Sequence, residues 1–367
     1  MRYKVRYLTF SLLFLVIFML IIPLASAKPR DSYLVDFIYS EQVGDEGFGN
    51  SYQETAQALE ILNHFNLFTV EGLFGVENKV DIPTLRDYLD GKLTEMFDEE
   101  NVDLYDLYGI LKSLTYLNYV IDSGLSLDIY GYINATGHVS GGFAPTNTSK
   151  AVNVVSTFYA YQIYDLLEVD MPNQTIHTNW ILSCNNIDGG YGSNSTLSST
   201  LLTTYQAVIL INELTGSVDN LANKTATLEY LTSFYISDTT DINNYGGYLP
   251  DITALNVLLS SSFICLNSTG LIDSNELHQV PTVNMVLSRQ NFLDGGFSDK
   301  ITGYDQELSS ITTTYYAFKI LYSFDSLHLL NEEIFMVEFS YIMLIIVLSA
   351  VGILAFVAYW IWRKRRI

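Results

Sequence analysis

Any chemistry in this chain must come from a short set of side chains. Cys184 and Cys265 are its two thiols, and its histidines stand at 64, 138, 177, 278 and 328. The histidines lack metal-ligand spacing and read as structural or solvated. No Ser sits in a nucleophile elbow. Carboxylates are plentiful. Asp188 and Asp294 immediately precede Gly-Gly pairs, where a carboxylate accepts backbone N–H bonds from a turn; acid–base work is the competing use. Asp251, Asp299 and Asp305 fall in loops, and glycoside hydrolysis needs two acids across a cleft. The 27 Tyr and 20 Phe are the most suggestive feature. They fit core packing, or an aromatic cavity for an isoprenoid, a lipid or a sugar ring.

What positions these residues is a repeat. Ala58, Ala160, Ala207 and Ala317 are each followed at three, four and seven residues by large apolar or aromatic side chains. Those offsets share one face of a helix. A weaker copy follows Leu107 and a broken one follows Asn256, so the references 58, 107, 160, 207, 256 and 317 step by 49, 53, 47, 49 and 61. A Thr stands three residues earlier in five copies, at 55, 157, 204, 253 and 314. Ahead of it comes a glycine-aromatic turn: Gly47-Phe48, Gly141-Gly-Phe143, Gly189-Gly-Tyr191, Gly246-Gly-Tyr248 and Gly295-Gly-Phe297. A second helical segment precedes each turn, with Pro83 and Pro281 at helix starts where no N–H is needed. Each unit is therefore helix, turn, helix. Six such pairs predict one all-α domain, an inner ring of helices within an outer ring, because each unit buries its faces only against its neighbours.

Both ends of the chain differ from this middle. Arg2, Lys4 and Arg6, an apolar run from Leu8 to Leu24 and then Ala25-Ser26-Ala27 have the order of a secretory signal cleaved after Ala27, with an uncleaved anchor as the alternative. Residues 339–362 carry no charge and are long enough to span a bilayer. Arg363 to Arg366 places the tail, 363–367, in the cytoplasm and residues 28–338 outside. The outer segment holds all 40 acids and 11 of the 18 Lys and Arg, a formal charge of −29. Such a surface repels nucleic acid. On the oxidising side of a membrane a Cys184–Cys265 disulfide is permitted, and two buried free thiols fit equally. Sequons at Asn134, Asn147, Asn173, Asn194, Asn223 and Asn267 read as loop or helix-edge glycosylation sites.

Helix pairs with Asp-Gly-Gly-Phe/Tyr turns and Thr-Tyr-x-Ala helix starts at this spacing resemble the α/α toroids of protein prenyltransferase β subunits, squalene and oxidosqualene cyclases and complement-type thioester domains. The likeness covers about residues 34–330. It implies catalytic sets that are then sought in this chain. Prenyltransferases hold zinc through Asp-x-Cys and a His, five and three residues before the reference. Here those positions read Gln53/Thr55, Val102/Leu104, Val155/Thr157, Leu202/Thr204, Asp251/Thr253 and Thr312/Thr314, so only Asp251 is of ligand type. The cyclase Asp-x-Asp-Asp and the thioester Gly-Cys-Gly-Glu-Gln are absent. The resemblance therefore leaves Gln53, Thr157, Thr204, Asp251, Thr253, Thr312, Thr314 and Tyr315 as candidate cavity-lining residues, with no catalytic residue, metal or cofactor assigned. The expected molecule is a membrane-anchored, outward-facing toroid that binds a lipid, glycan or protein without catalysis. The alternatives are an isoprenoid or lipid enzyme and a glycan-active double-ring enzyme.

Overall fold

The computed structural model describes residues 25–66, 80–98, 102–291, 293–300 and 308–337, with single positions at 349, 360 and 363. The apolar run 8–24 and Asp305 lie outside the described residues, as does nearly all of the expected span 339–362 and its basic tail. Among the described residues no helix is long and apolar enough to cross a membrane.

Among the described residues twelve α-helices alternate between two rings. The outer set is α1 (Arg30–Ser40), α3 (Ile82–Asp98), α5 (Ser123–Thr136), α7 (Gln174–Ser183), α9 (Lys224–Thr232) and α11 (Gln279–Leu287). The inner set is α2 (Tyr52–His64), α4 (Leu104–Tyr116), α6 (Val154–Leu166), α8 (Leu201–Thr215), α10 (Leu259–Ile272) and α12 (Ile311–Ser323). Each inner helix packs on the next, and α12 packs on α2, so the inner ring closes. The described residues also hold four short strands: β1 (Ala25–Pro29), β2 (Tyr191–Gly192), β3 (Ser199–Thr200) and β4 (Glu333–Val337). The chain divides into two compact units, residues 33–329 and the paired chain ends. In the second unit β1 runs antiparallel to β4, from Ala25 opposite Val337 to Pro29 opposite Glu333. The cleavage expected after Ala27 falls inside this strand.

The inner helices start where their sequence caps them. Ser51, Asp103, Asn153, Thr200 and Ser310 each accept a backbone N–H from the first turn of the helix that follows. Only α10 begins without such a side chain, at Leu258. There Asp299 Oδ1 accepts the Leu259 N–H at 2.6 Å, capping the helix from the next turn. One of the loop acids considered for glycan chemistry is thus a helix cap.

These caps correct two copies of the repeat. The N-cap lies seven residues before the reference at Ala58, Ala160, Ala207 and Ala317. Counting from Asp103 puts the second reference at Ile110 rather than Leu107, and counting from Leu258 puts the fifth at Cys265 rather than Asn256. The hydroxyl three residues earlier then shows its purpose. The N–H groups of Phe48, Phe143, Tyr191 and Phe297 donate to Oγ1 of Thr55, Thr157, Thr204 and Thr314 at 2.9–3.0 Å. In the fifth unit the Tyr248 N–H donates to Ser262 Oγ at 3.1 Å. Thr253 belongs to an exposed turn instead, where its N–H and hydroxyl donate to Asp251 Oδ1 at 2.7 and 2.6 Å.

The glycines join one unit to the next. Gly189 and Gly295 have φ +87° and +88°, and a Cβ there would lie 2.2 Å from Ala226 O in α9 and 2.5 Å from Tyr33 O in α1. The third, fourth and fifth turns are each pressed on the outer helix of the following unit, and the sixth turn on the first outer helix, which closes the outer ring. Asp188 and Asp294 hold this geometry. Their Oδ1 atoms accept the Gly190 and Gly296 N–H groups at 3.0 Å each.

Candidate functional site

The inner ring surrounds a cavity of about 310 Å³. Its lining follows from helical period. Counting from the first residue of each inner helix, it comes from the second, fifth, sixth and ninth positions, one stripe on one face. The fifth and sixth positions form an aromatic tier: Tyr108, Phe158 and Tyr159, Tyr205, Phe263, and Tyr315 and Tyr316. The ninth positions form a polar tier: Glu60, Lys112, Gln162, Asn267 and Lys319. Gln53, Gln57 and Gln206 add three more amides.

The aromatic tier is a connected belt. Ring centroids lie 5.4 Å apart for Tyr108–Tyr159, 5.6 Å for Phe158–Tyr159, 6.1 Å for Phe158–Tyr205, 6.0 Å for Tyr205–Phe263, 5.5 Å for Phe263–Tyr316 and 5.8 Å for Tyr315–Tyr316. Most pairs are edge-on or tilted, the favourable arrangement for ring quadrupoles. Burial pushes the Tyr108, Tyr159, Tyr205 and Tyr315 phenols above their ordinary range, so each stays protonated and can donate a hydrogen bond.

The seam between α12 and α2 is polar. Lys319 Nζ pairs with Glu60 Oε1 at 2.7 Å, and Tyr315 OH donates to Glu60 Oε2 at 3.0 Å. Burial alone would raise the Glu60 pKa. Lys319 and the hydrogen bonds from it, Tyr116 and Tyr315 outweigh that and hold it below the usual carboxylate range. Thr312 Oγ1 donates to Gln57 Oε1 at 3.2 Å across the same seam.

Of the candidate residues named from sequence, Gln53 and Tyr315 line the cavity and Thr312 lies on the seam. Thr157, Thr204 and Thr314 are buried behind the lining as turn clamps. Asp251 and Thr253 are exposed and are not among its lining residues. Asn267 is not a loop sequon. It sits inside α10 and lines the cavity. Cys184 and Cys265 are buried free thiols rather than a disulfide, and burial raises both pKa values, Cys184 to about 11.

Sequence reasoning missed Lys112, Gln162, Gln206 and Lys319. A signal existed, since all four sit one or two residues from positions already indexed by the repeat. With the references corrected, the zinc positions of the second and fifth units read Tyr105/Leu107 and Ser260/Ser262. Asp251, the single ligand-type match, drops out. Among the described residues no group of three or more His, Cys, Asp or Glu could hold a metal ion. Glu60 is the only carboxylate among the described residues that line the cavity. The paired acids of the glycan-active reading are therefore not assembled there, and what the lining offers is donors, acceptors, ring faces and cations.

The family model of the prenyltransferase alpha-alpha toroid domain matches residues 7–233, 146–302 and 252–340. No curated protein matches the chain. Among solved structures, Candida albicans protein geranylgeranyltransferase-I complexed with GGPP aligns with TM-score 0.51 and 16% identity, over 78% of this chain and 94% of that one. A protein from Actinoplanes aligns with TM-score 0.52 and 12% identity, over 81% of this chain and 98% of its own. At these identities the likeness is one of fold.

Proposed function

Since the chain belongs to the prenyltransferase alpha-alpha toroid domain family, we propose that it has kept the family's ring and uses the lumen to bind a small ligand without prenyl transfer. One observation carries the reading: eight of the 18 described lining residues are amides or charged side chains, and no thiol or imidazole is among them. A lumen of that composition favours a ligand that makes hydrogen bonds. The aromatic belt favours a second reading, an enzyme on an isoprenoid, whose chain would lie against the rings.

The toroid is held on the outer face of a membrane by residues 339–362. The β1–β4 pairing supports keeping the N-terminal apolar run as a second anchor, because cleavage after Ala27 removes three of the five β1 residues. Positive charge beyond both runs is consistent with two spans whose basic ends are cytoplasmic.

The test uses full-length chain in detergent, scanned for thermal stabilisation by small ring-bearing solutes. Stabilisation by such a solute, lost in Asn267→Phe, whose larger side chain fills the cavity, supports luminal binding. Transfer or hydrolysis of a prenyl diphosphate by the same preparation would replace it with the enzyme reading.

A further inference from the structure

Three features of the lumen narrow the ligand, on the premise that the lumen binds one. The first is charge. The outer segment is strongly acidic, yet two lysines line the cavity against one carboxylate. Lys319 is neutralised by Glu60 at 2.7 Å. Lys112 has no carboxylate partner among the described residues; its Nζ lies 5.2 Å from the Tyr116 ring centroid. Among the described residues the lumen thus keeps one uncompensated cation, and in a protein-lined cavity its attraction for an anion is stronger than on the open surface.

The second feature is an acceptor without a donor. Gln206 is 1% exposed and lines the cavity, and its Oε1 has no hydrogen-bond partner among the described residues. A buried acceptor left unpaired is costly, and a ligand hydroxyl that meets it as the amide turns toward the lumen would recover that cost. The third is the belt, whose ring faces and edges suit a flat or chair-shaped ring. The volume, about 310 Å³, suits a small ring compound.

We infer that the lumen is a receptor site for a small ring compound carrying a carboxylate, paired with Lys112, and a hydroxyl, donated to Gln206. The ring is either aromatic or that of a sugar acid. Calorimetric titration of the full-length chain in detergent tests this with 4-hydroxybenzoate, benzoate and 4-hydroxybenzamide, and with glucuronate against glucose. The expected result is that one carboxylate binds at least about tenfold more tightly than its neutral counterpart. Lys112→Gln should abolish that preference and Lys112→Arg should retain it. Gln206→Leu should abolish the preference for 4-hydroxybenzoate over benzoate if the ring is aromatic, and should weaken glucuronate binding if it is a sugar acid. Added salt should weaken the carboxylate's binding to the unmodified chain, a readout that needs no variant. Preference for hydroxybenzoate or for glucuronate decides between the two rings. Equal binding of charged and neutral probes, or a preference untouched by Lys112→Gln, overturns the inference while leaving luminal binding in place. Binding of no probe overturns the inference as well. Failure of luminal binding itself is read separately, from the wider solute scan and Asn267→Phe.

Discussion

Thr157, Thr204 and Thr314 show how a conspicuous residue can serve the turn behind the site rather than the site. Each hydroxyl takes the N–H of the aromatic residue in its turn at 2.9 Å. Thr157→Val should therefore destabilise the chain by about 1–3 kcal/mol in urea unfolding, because the Phe143 N–H is left buried and unpaired. Thr253→Val, in an exposed turn, should change stability by no more than about 0.5 kcal/mol. His177 is a second such residue. Its Nδ1 accepts the Gly142 N–H at 3.0 Å and its ring stacks on Phe143 at 4.6 Å. Burial lowers its pKa, so the stability it contributes is present above the unfolded value near 6.5 and is lost as pH falls below that toward the folded value. Unfolding followed from pH 7.5 down to about pH 5.5 should show a loss that His177→Gln reduces. Glu60 behaves in the same sense at lower pH. Its folded pKa is depressed, so its contribution is present above about 4.3 and lost on acidification through the folded value. Glu60→Gln should flatten that acid limb.

At the scale of elements, the glycine turns are joints between units. Gly295→Ala must place a Cβ 2.5 Å from the Tyr33 carbonyl at φ +88°, in the joint that closes the outer ring. Gly216 also has positive φ, +74°, but its Cβ would meet nothing within 4 Å. Gly295→Ala should therefore lower the urea midpoint well beyond Gly216→Ala, which carries only the left-handed backbone cost of about 1–2 kcal/mol. Equal losses at the two sites would show that the close approach adds nothing to the energy. The fifth unit shows the same principle in reverse. It has no side-chain cap at Leu258 and borrows Asp299 from the sixth turn, so Asp299→Ala should loosen the start of α10. Faster amide exchange at Leu259 and its neighbours would reveal it.

At the scale of the whole molecule, ring closure ties the first repeat to the last. Lys319 and Tyr315 of α12 meet Glu60 of α2 across more than 250 residues of sequence. The proposed anchoring is tested on the full chain in membranes. Intact-mass measurement should find residues 1–24 still attached, and external protease should leave tags at both ends uncut. A mature chain beginning at Lys28 would restore the cleaved-signal expectation.

The amino-acid sequence by itself determined the repeat, the all-α double ring and the turn roles of Asp188 and Asp294, because helical period and glycine punctuation are local properties. Four of the six copies were legible in register. The second and fifth were not, since Leu107 and Asn256 have neighbours that imitate the apolar offsets. Only the caps at Asp103 and Leu258 and the Tyr248–Ser262 hydrogen bond set them right. Tyr248 and Ser262 are 14 residues apart, as are Phe143 and Thr157, and that match was available in the sequence. Beyond Gln53 and Tyr315, which were named from sequence, the contents of the lumen were decided by tertiary structure. Which of two adjacent positions on an inner helix faces the centre depends on how six helices rotate against one another, and no local pattern fixes that rotation. Asp251 left the site with the corrected register of the fifth unit, whereas helix rotation brought Asn267, Lys112 and Gln206 to a common cavity.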